Sequence, residues 1–152
     1  MMTSGFSAQA VGPIVFVVWR GAVTLDSVGK VSALLHDTAR EHREVVFITI
    51  AQFRAPIPSA EVRAQIVQTY AELGEALVGV AQVVEGEGFW ASAALGFIAG
   101  LSLLHRRGRT TKLFARVADA LSWVDELPVR NRVPRDQLTR LIERSTLRLA
   151  AA

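Results

Sequence analysis

Apolar residues gather in four short runs along this chain, Ile14 to Trp19, Val45 to Ile50, Ala76 to Val84 and Lys112 to Phe114, each followed by a stretch with helical spacing. Strands that alternate with helices predict βαβ units around a largely parallel sheet. Ahead of the first run, Phe6 to Val11 reads as a shorter strand. Gly12-Pro13 supplies a turn between the two, so an antiparallel hairpin opens the fold. Val45 to Ile50 is almost wholly apolar, the pattern of a strand covered on both faces.

The helices follow from spacing and from their ends. Leu25, Val28, Val31, Leu34 and Leu35 recur on one side of a helix that runs to about His42, with Thr24 as N-cap and Asp26 in the first turn. Pro56 and Pro58 keep the loop Ala51 to Pro58 out of helix. Ser59 then starts a helix through Val62, Ile66, Val67, Tyr70 and Leu73, and Gly74 weakens its end. Phe89 to Arg107 is the most apolar helix, ending on His105, Arg106 and Arg107 with Gly108 as cap. Val117 to Leu127 is amphipathic. Beyond Pro128 a polar connector leads to a last helix, Asp136 to Leu149, whose apolar side is flanked by Arg140, Arg144 and Arg148. The reading is one α/β domain over residues 1–127, a mostly parallel four- or five-stranded sheet with crossover helices. A basic helical C-terminal extension over residues 128–152 follows, read either as a terminal helix docked on the body or frayed in solvent, or as a partner-binding or membrane-surface helix.

Composition narrows the function classes. With 152 residues, 51% hydrophobic and 20% charged, the chain is long and apolar enough to bury a core. It has no cysteine, which removes disulfides, thiolate metal sites and a cysteine nucleophile, and fits a reducing cytoplasm. Met1 to Ala10 lacks the charged and apolar regions of a secretory signal. The high pI comes from the tail, where Pro128 to Ala152 carries six arginines against two acids. The rest of the chain is close to neutral, and no basic face with base-reading groups emerges, so no nucleic-acid partner is expected.

Several motifs resemble chemistry without the context it needs. Gly86-Glu87-Gly88-Phe89-Trp90-Ala91 matches a dinucleotide fingerprint between a strand and a helix. Glu87, however, would set a carboxylate beside a pyrophosphate. Gly96 and Gly100 make a GxxxG in the apolar helix, yet a helix between two strands is a crossover, and no membrane span is expected. His36 and His42 fall on different helix faces and His105 stands at a helix end, so no pair has base or ligand geometry. Ser102 has no nucleophile-elbow setting, and Glu85 with Glu87 reads as a charged turn. The expectation is a chain with no catalytic residue, metal ligand or cofactor.

The order of elements, together with Lys112-Leu113-Phe114-Ala115-Arg116-Val117-Ala118-Asp119-Ala120-Leu121-Ser122-Trp123-Val124, resembles the STAS domain. This is the fold of anti-sigma-factor antagonists and their STAS-like relatives in bacteria. Such domains close on a strand and a helix of the form F-x-x-x-x-x-A-L-x-W. The resemblance implies a non-catalytic regulatory or scaffolding module that binds a protein partner. Its antagonist branch is switched by phosphorylation of a serine at the N-terminus of the helix after the second parallel strand, and Ser59 occupies that place. Gln52-Phe53-Arg54-Ala55-Pro56-Ile57-Pro58 stands where the family carries an Asp-Ser-Ser-Gly-like motif. The resemblance therefore implies a partner surface at Phe53, Arg54, Ile57 and Ser59, with Ser59 as candidate phosphorylation site. Two other readings stay open. One is a small-ligand binder, for a nucleotide or lipid, near Gly86 to Phe89; the other is a homodimeric structural subunit.

Overall fold

The opening hairpin forms because Gly12 takes a left-handed backbone conformation (φ 55°) that a side chain would strain. In the computed structural model, which describes residues 1–2, 5–52, 55–85 and 110–152, strands β1 (Phe6–Val11) and β2 (Ile14–Trp19) pair antiparallel across that turn. Three parallel strands follow, β3 (Val45–Ala51), β4 (Leu77–Val84) and β5 (Thr110–Phe114), giving a five-stranded sheet in the order β1-β2-β3-β4-β5. Between them lie α1 (Leu25–His42) and α2 (Ala60–Leu73). After β5 come α3 (Val117–Val124) and α4 (Arg135–Ala151). The expected α/β architecture with a C-terminal helix is thus present. Phe89 to Arg107, expected as an apolar helix, lies outside the described residues.

Side-chain alternation divides the core in two. Phe16 and Val18 of β2, Ile48 and Ile50 of β3 and Ala81 and Val83 of β4 face α3 and α4. Their neighbours Val15, Val17, Val45, Phe47 and Val80 face α1 and α2. A strand buried on both sides has no polar face to show, hence the continuous apolar runs. Successive parallel crossovers of one hand in a sheet that grows one way fall on the same face, and α1 and α2 share one.

Helix ends are set locally. Thr24 Oγ1 accepts from the Ser27 backbone N–H (3.1 Å) while Ser27 Oγ accepts from the Thr24 N–H (2.8 Å), a reciprocal cap. Five boundaries differ from the sequence reading, the first being that of β3, which runs one residue past Ile50 to Ala51. Ala76 belongs to a 3-10 turn, Gly74–Ala76, because Gly74 stops α2 with φ 59°. Strand β5 begins at Thr110 rather than Lys112, paired to Gly79 of β4. Helix α3 stops at Val124, and Asp125 to Leu127 turn away before Pro128. Helix α4 runs from Arg135 to Ala151, a residue or two longer at each end. It buries Leu138, Ile142 and Leu149 in the same core as α3.

One irregularity escapes sequence patterning. Val45 pairs with Leu77 and Val46 with Gly79, so Val78 is an extra residue in β4. The bulge turns Val78 and Gly79 toward α3 together. Val78 packs against that core, and a Cβ on Gly79 would meet Leu127 and Trp123.

Candidate functional site at the strand ends

The C-terminal ends of β2, β3 and β4 meet under the chain that joins β3 to α2. Three backbone bonds stitch this edge: Gln52 N–H to Trp19 O (3.0 Å), Ala55 N–H to Gln52 O (3.0 Å) and Glu85 N–H to Ala51 O (3.0 Å). Ala55 is buried, whereas Pro56 and Ile57 are exposed, Ile57 to 44%. Ser59 is exposed and caps α2, its Oγ accepting the Val62 backbone N–H at 3.3 Å. Ile57 and Ser59 are thus both exposed, two residues apart at the start of α2. Phe53 and Arg54, the other two expected partner residues, lie outside the described residues, as do Gly86 to Phe89 of the glycine turn.

Beneath the 55–58 segment is a cavity of about 100 Å³. Phe47, Thr49 and Ala51 of β3 with Gln82 and Val84 of β4 form its floor. Val28, Val31 and Leu35 of α1 and Ile66 and Tyr70 of α2 make the walls. Alternation along the strands produces this lining, since these floor residues share the face that carries α1 and α2. The polar atoms in it are few. Trp19 Nε1–H donates to Thr49 Oγ1 (3.0 Å), and Thr69 Oγ1 lies 3.0 Å from both Ser32 Oγ and the Gln65 carbonyl oxygen. Tyr70 packs edge-on to Phe47 with ring centroids 6.3 Å apart, and burial pushes its phenol well above the ordinary value by penalising the phenolate. Burial likewise raises the carboxyl of Glu85, just past the end of β4.

Local pattern had not marked Thr49 or Gln82. The available signal was a polar residue interrupting an otherwise apolar strand, twice, at positions that pair across β3 and β4. His36, read from the sequence as a surface residue, sits at the α1–α2 junction. Its Nε2 is 3.1 Å from Glu72 Oε2, within ion-pair distance but without hydrogen-bond geometry, so the contact attracts only when the imidazole is protonated. His42 lies 3.9 Å from Glu41 and apart from His36's partner. His105 and Ser102 fall outside the described residues. Among the described residues no three His, Asp or Glu side chains group as metal ligands, and no helix is long and apolar enough to cross a membrane.

The sheet order, the opening hairpin and the closing β5–α3 pair define a STAS-like fold. Among solved structures the chain is similar to an uncharacterized protein of the DUF3478 family with a SpoIIAA-like fold from Shewanella loihica PV-4. The TM-score is 0.50 at 16% sequence identity, over 78% of this chain and 93% of that one. The SpoIIAA-like, or STAS-like, fold is therefore the one this chain adopts, and at that identity the likeness is one of fold alone. No known family model matches the sequence, and no curated protein does.

Proposed function

We propose that this chain is a non-catalytic regulatory or scaffolding module of the bacterial cytoplasm, which binds a protein partner through the segment from Ala51 to Ser59. The observation that supports it most directly is the presentation of Ile57. This side chain is 44% exposed between two prolines, in a segment pinned at one end by backbone bonds and at the other by the Ser59 cap. An apolar group already held in place loses little freedom when a partner covers it. The segment also lies outside the carboxyl ends of parallel strands, where open α/β sheets place their ligands.

Ser59 is the second part of the proposal. A phosphate on its Oγ would displace the cap bond to Val62 and sit among the free N–H groups at the start of α2, where the helix dipole favours negative charge. Phosphorylation there would alter the partner edge without touching the core. The test is affinity capture from the native host with the full chain, comparing wild type with Phe53→Ala, Arg54→Ala and Ile57→Asp. A protein retained by wild type and lost from the variants, with melting temperature unchanged, supports the surface. Equal retention by all four chains refutes it.

A further inference from the structure

We propose that the cavity beneath residues 55–58 is a binding site for a small uncharged molecule: a short branched alkyl chain or single ring bearing one hydrogen-bonding group, seated on Thr49 and Gln82. Three observations point there. The first is size. An apolar protein cavity of about 150 Å³ admits benzene, so about 100 Å³ fits a short alkyl group, or one ring with slight outward movement of the 55–58 roof.

The second is charge. The described lining contains no Asp, Glu, Lys, Arg or His, so a phosphate or carboxylate would be taken from water with no cation to meet it. The described lining therefore favours a neutral occupant.

The third is the placing of the polar groups. On the α2 side Thr69 and Ser32 hydroxyls face each other at 3.0 Å, with the Gln65 carbonyl also within reach of Thr69, and their hydrogen bonding is met within the wall. The floor differs. Thr49 Oγ1 accepts the Trp19 indole N–H, which leaves its own O–H to donate elsewhere, and the Gln82 carboxamide makes no side-chain hydrogen bond to any described residue. Thr49 and Gln82 are register partners on adjacent strands, so a donor and a carboxamide lie side by side in an apolar enclosure. Few convergent polar groups in a largely apolar pocket are what orient a small ligand. The roof of this cavity is also the outer segment that carries Ile57, so an occupant touches that segment from below.

The experiment is an amide chemical-shift titration of the full chain with phenol, toluene and benzoate, three rings that differ in one substituent. The expected result is saturable shifts at Thr49, Gln82 and Ile66, with phenol binding at least fivefold tighter than toluene and benzoate not saturating. In Gln82→Leu, which keeps the volume, phenol should fall to the level of toluene, and the melting temperature of the free variant shows whether it is folded. Absence of saturable shifts with all three rings overturns the proposal. So do shifts confined to other regions, benzoate binding as well as phenol, or contacts in the free protein showing that one of its own side chains fills the cavity. Capture of a partner through Ile57 is read separately and stands or falls on its own.

Discussion

Replacing Gly79 by alanine tests how closely α3 and the turn after it come down on the sheet. A Cβ at this position would lie 2.9 Å from Leu127 Cδ1 and 3.2 Å from Trp123 Cη2. The first is the end of a flexible side chain, but Leu127 is only 8% exposed and has little room to swing. The second belongs to a rigid ring held against Phe114 at a centroid distance of 5.7 Å. Overpacking of this kind costs about 1–3 kcal/mol. Removing a strand glycine returns about 0.5–1 kcal/mol through the unfolded chain. The midpoints leave a loss of roughly 1 kcal/mol, and at about 2–4 °C per kcal/mol for a domain of this size the melting temperature falls by roughly 2–4 °C. Urea unfolding followed by circular dichroism measures the loss. The same substitution made in a Leu127→Ala background, and compared with that background alone, should cost less, because the nearest clash is gone while the contact with Trp123 remains. A Gly79→Ala protein as stable as wild type, or one that loses equally in both backgrounds, refutes the close-approach argument.

Tyr70→Phe tests the buried phenol. Because burial raises the folded-state pKa above the unfolded value of about 10, the folded state keeps its proton longer. The associated stability is whole below about pH 10 and declines above it by about 1.4 kcal/mol per pH unit. Urea unfolding at several alkaline pH values should show wild type losing stability faster than Tyr70→Phe, and parallel profiles would contradict the burial of this group. Ile142→Ala tests the docking of α4. Ile142 is 3% exposed in the core shared with α3, so truncation should cost about 2–4 kcal/mol in the same assay, whereas a loss below about 0.5 kcal/mol would mean that the helix does not pack there.

Much of the fold could be read from sequence because its signals are local. Strands covered on both faces, such as Val45–Ala51, cannot hide their apolar runs, and the caps at Thr24 and Ser59 act within three residues of themselves. What stayed unread depends on partners far along the chain. The bulge at Val78 appears only when β4 is laid against β3, and Gly79 is explained by side chains more than forty positions later. The arginine-rich tail shows both cases. Arg140 and Arg144 are exposed beside buried Leu138 and Ile142, as helical spacing indicates. By contrast, the Arg20 guanidinium donates to the Leu149 carbonyl, and the Arg130 N–H donates to Glu44 Oε1 at 2.6 Å. Both bonds fasten the tail to distant parts of the body.

The site divides in the same way, and its shape can be traced to two residues. Proline has no N–H to give a helix interior and holds the residue before it out of the helical region. Pro56 and Pro58 therefore prevent α2 from starting until Ser59 can cap it. A helix begun directly after Ala51 would lay its first turns across the ends of β3 and β4. Delayed by the prolines, the chain instead crosses as the extended segment 55–58, anchored by the buried Ala55, and leaves space above Thr49 and Gln82. Local chemistry thus dictates where the helix starts, and through it the exposed Ile57 on the outside. The pocket on the inside needs α1, α2 and two strands to arrive together, and for that reason it was not visible in the order of the residues.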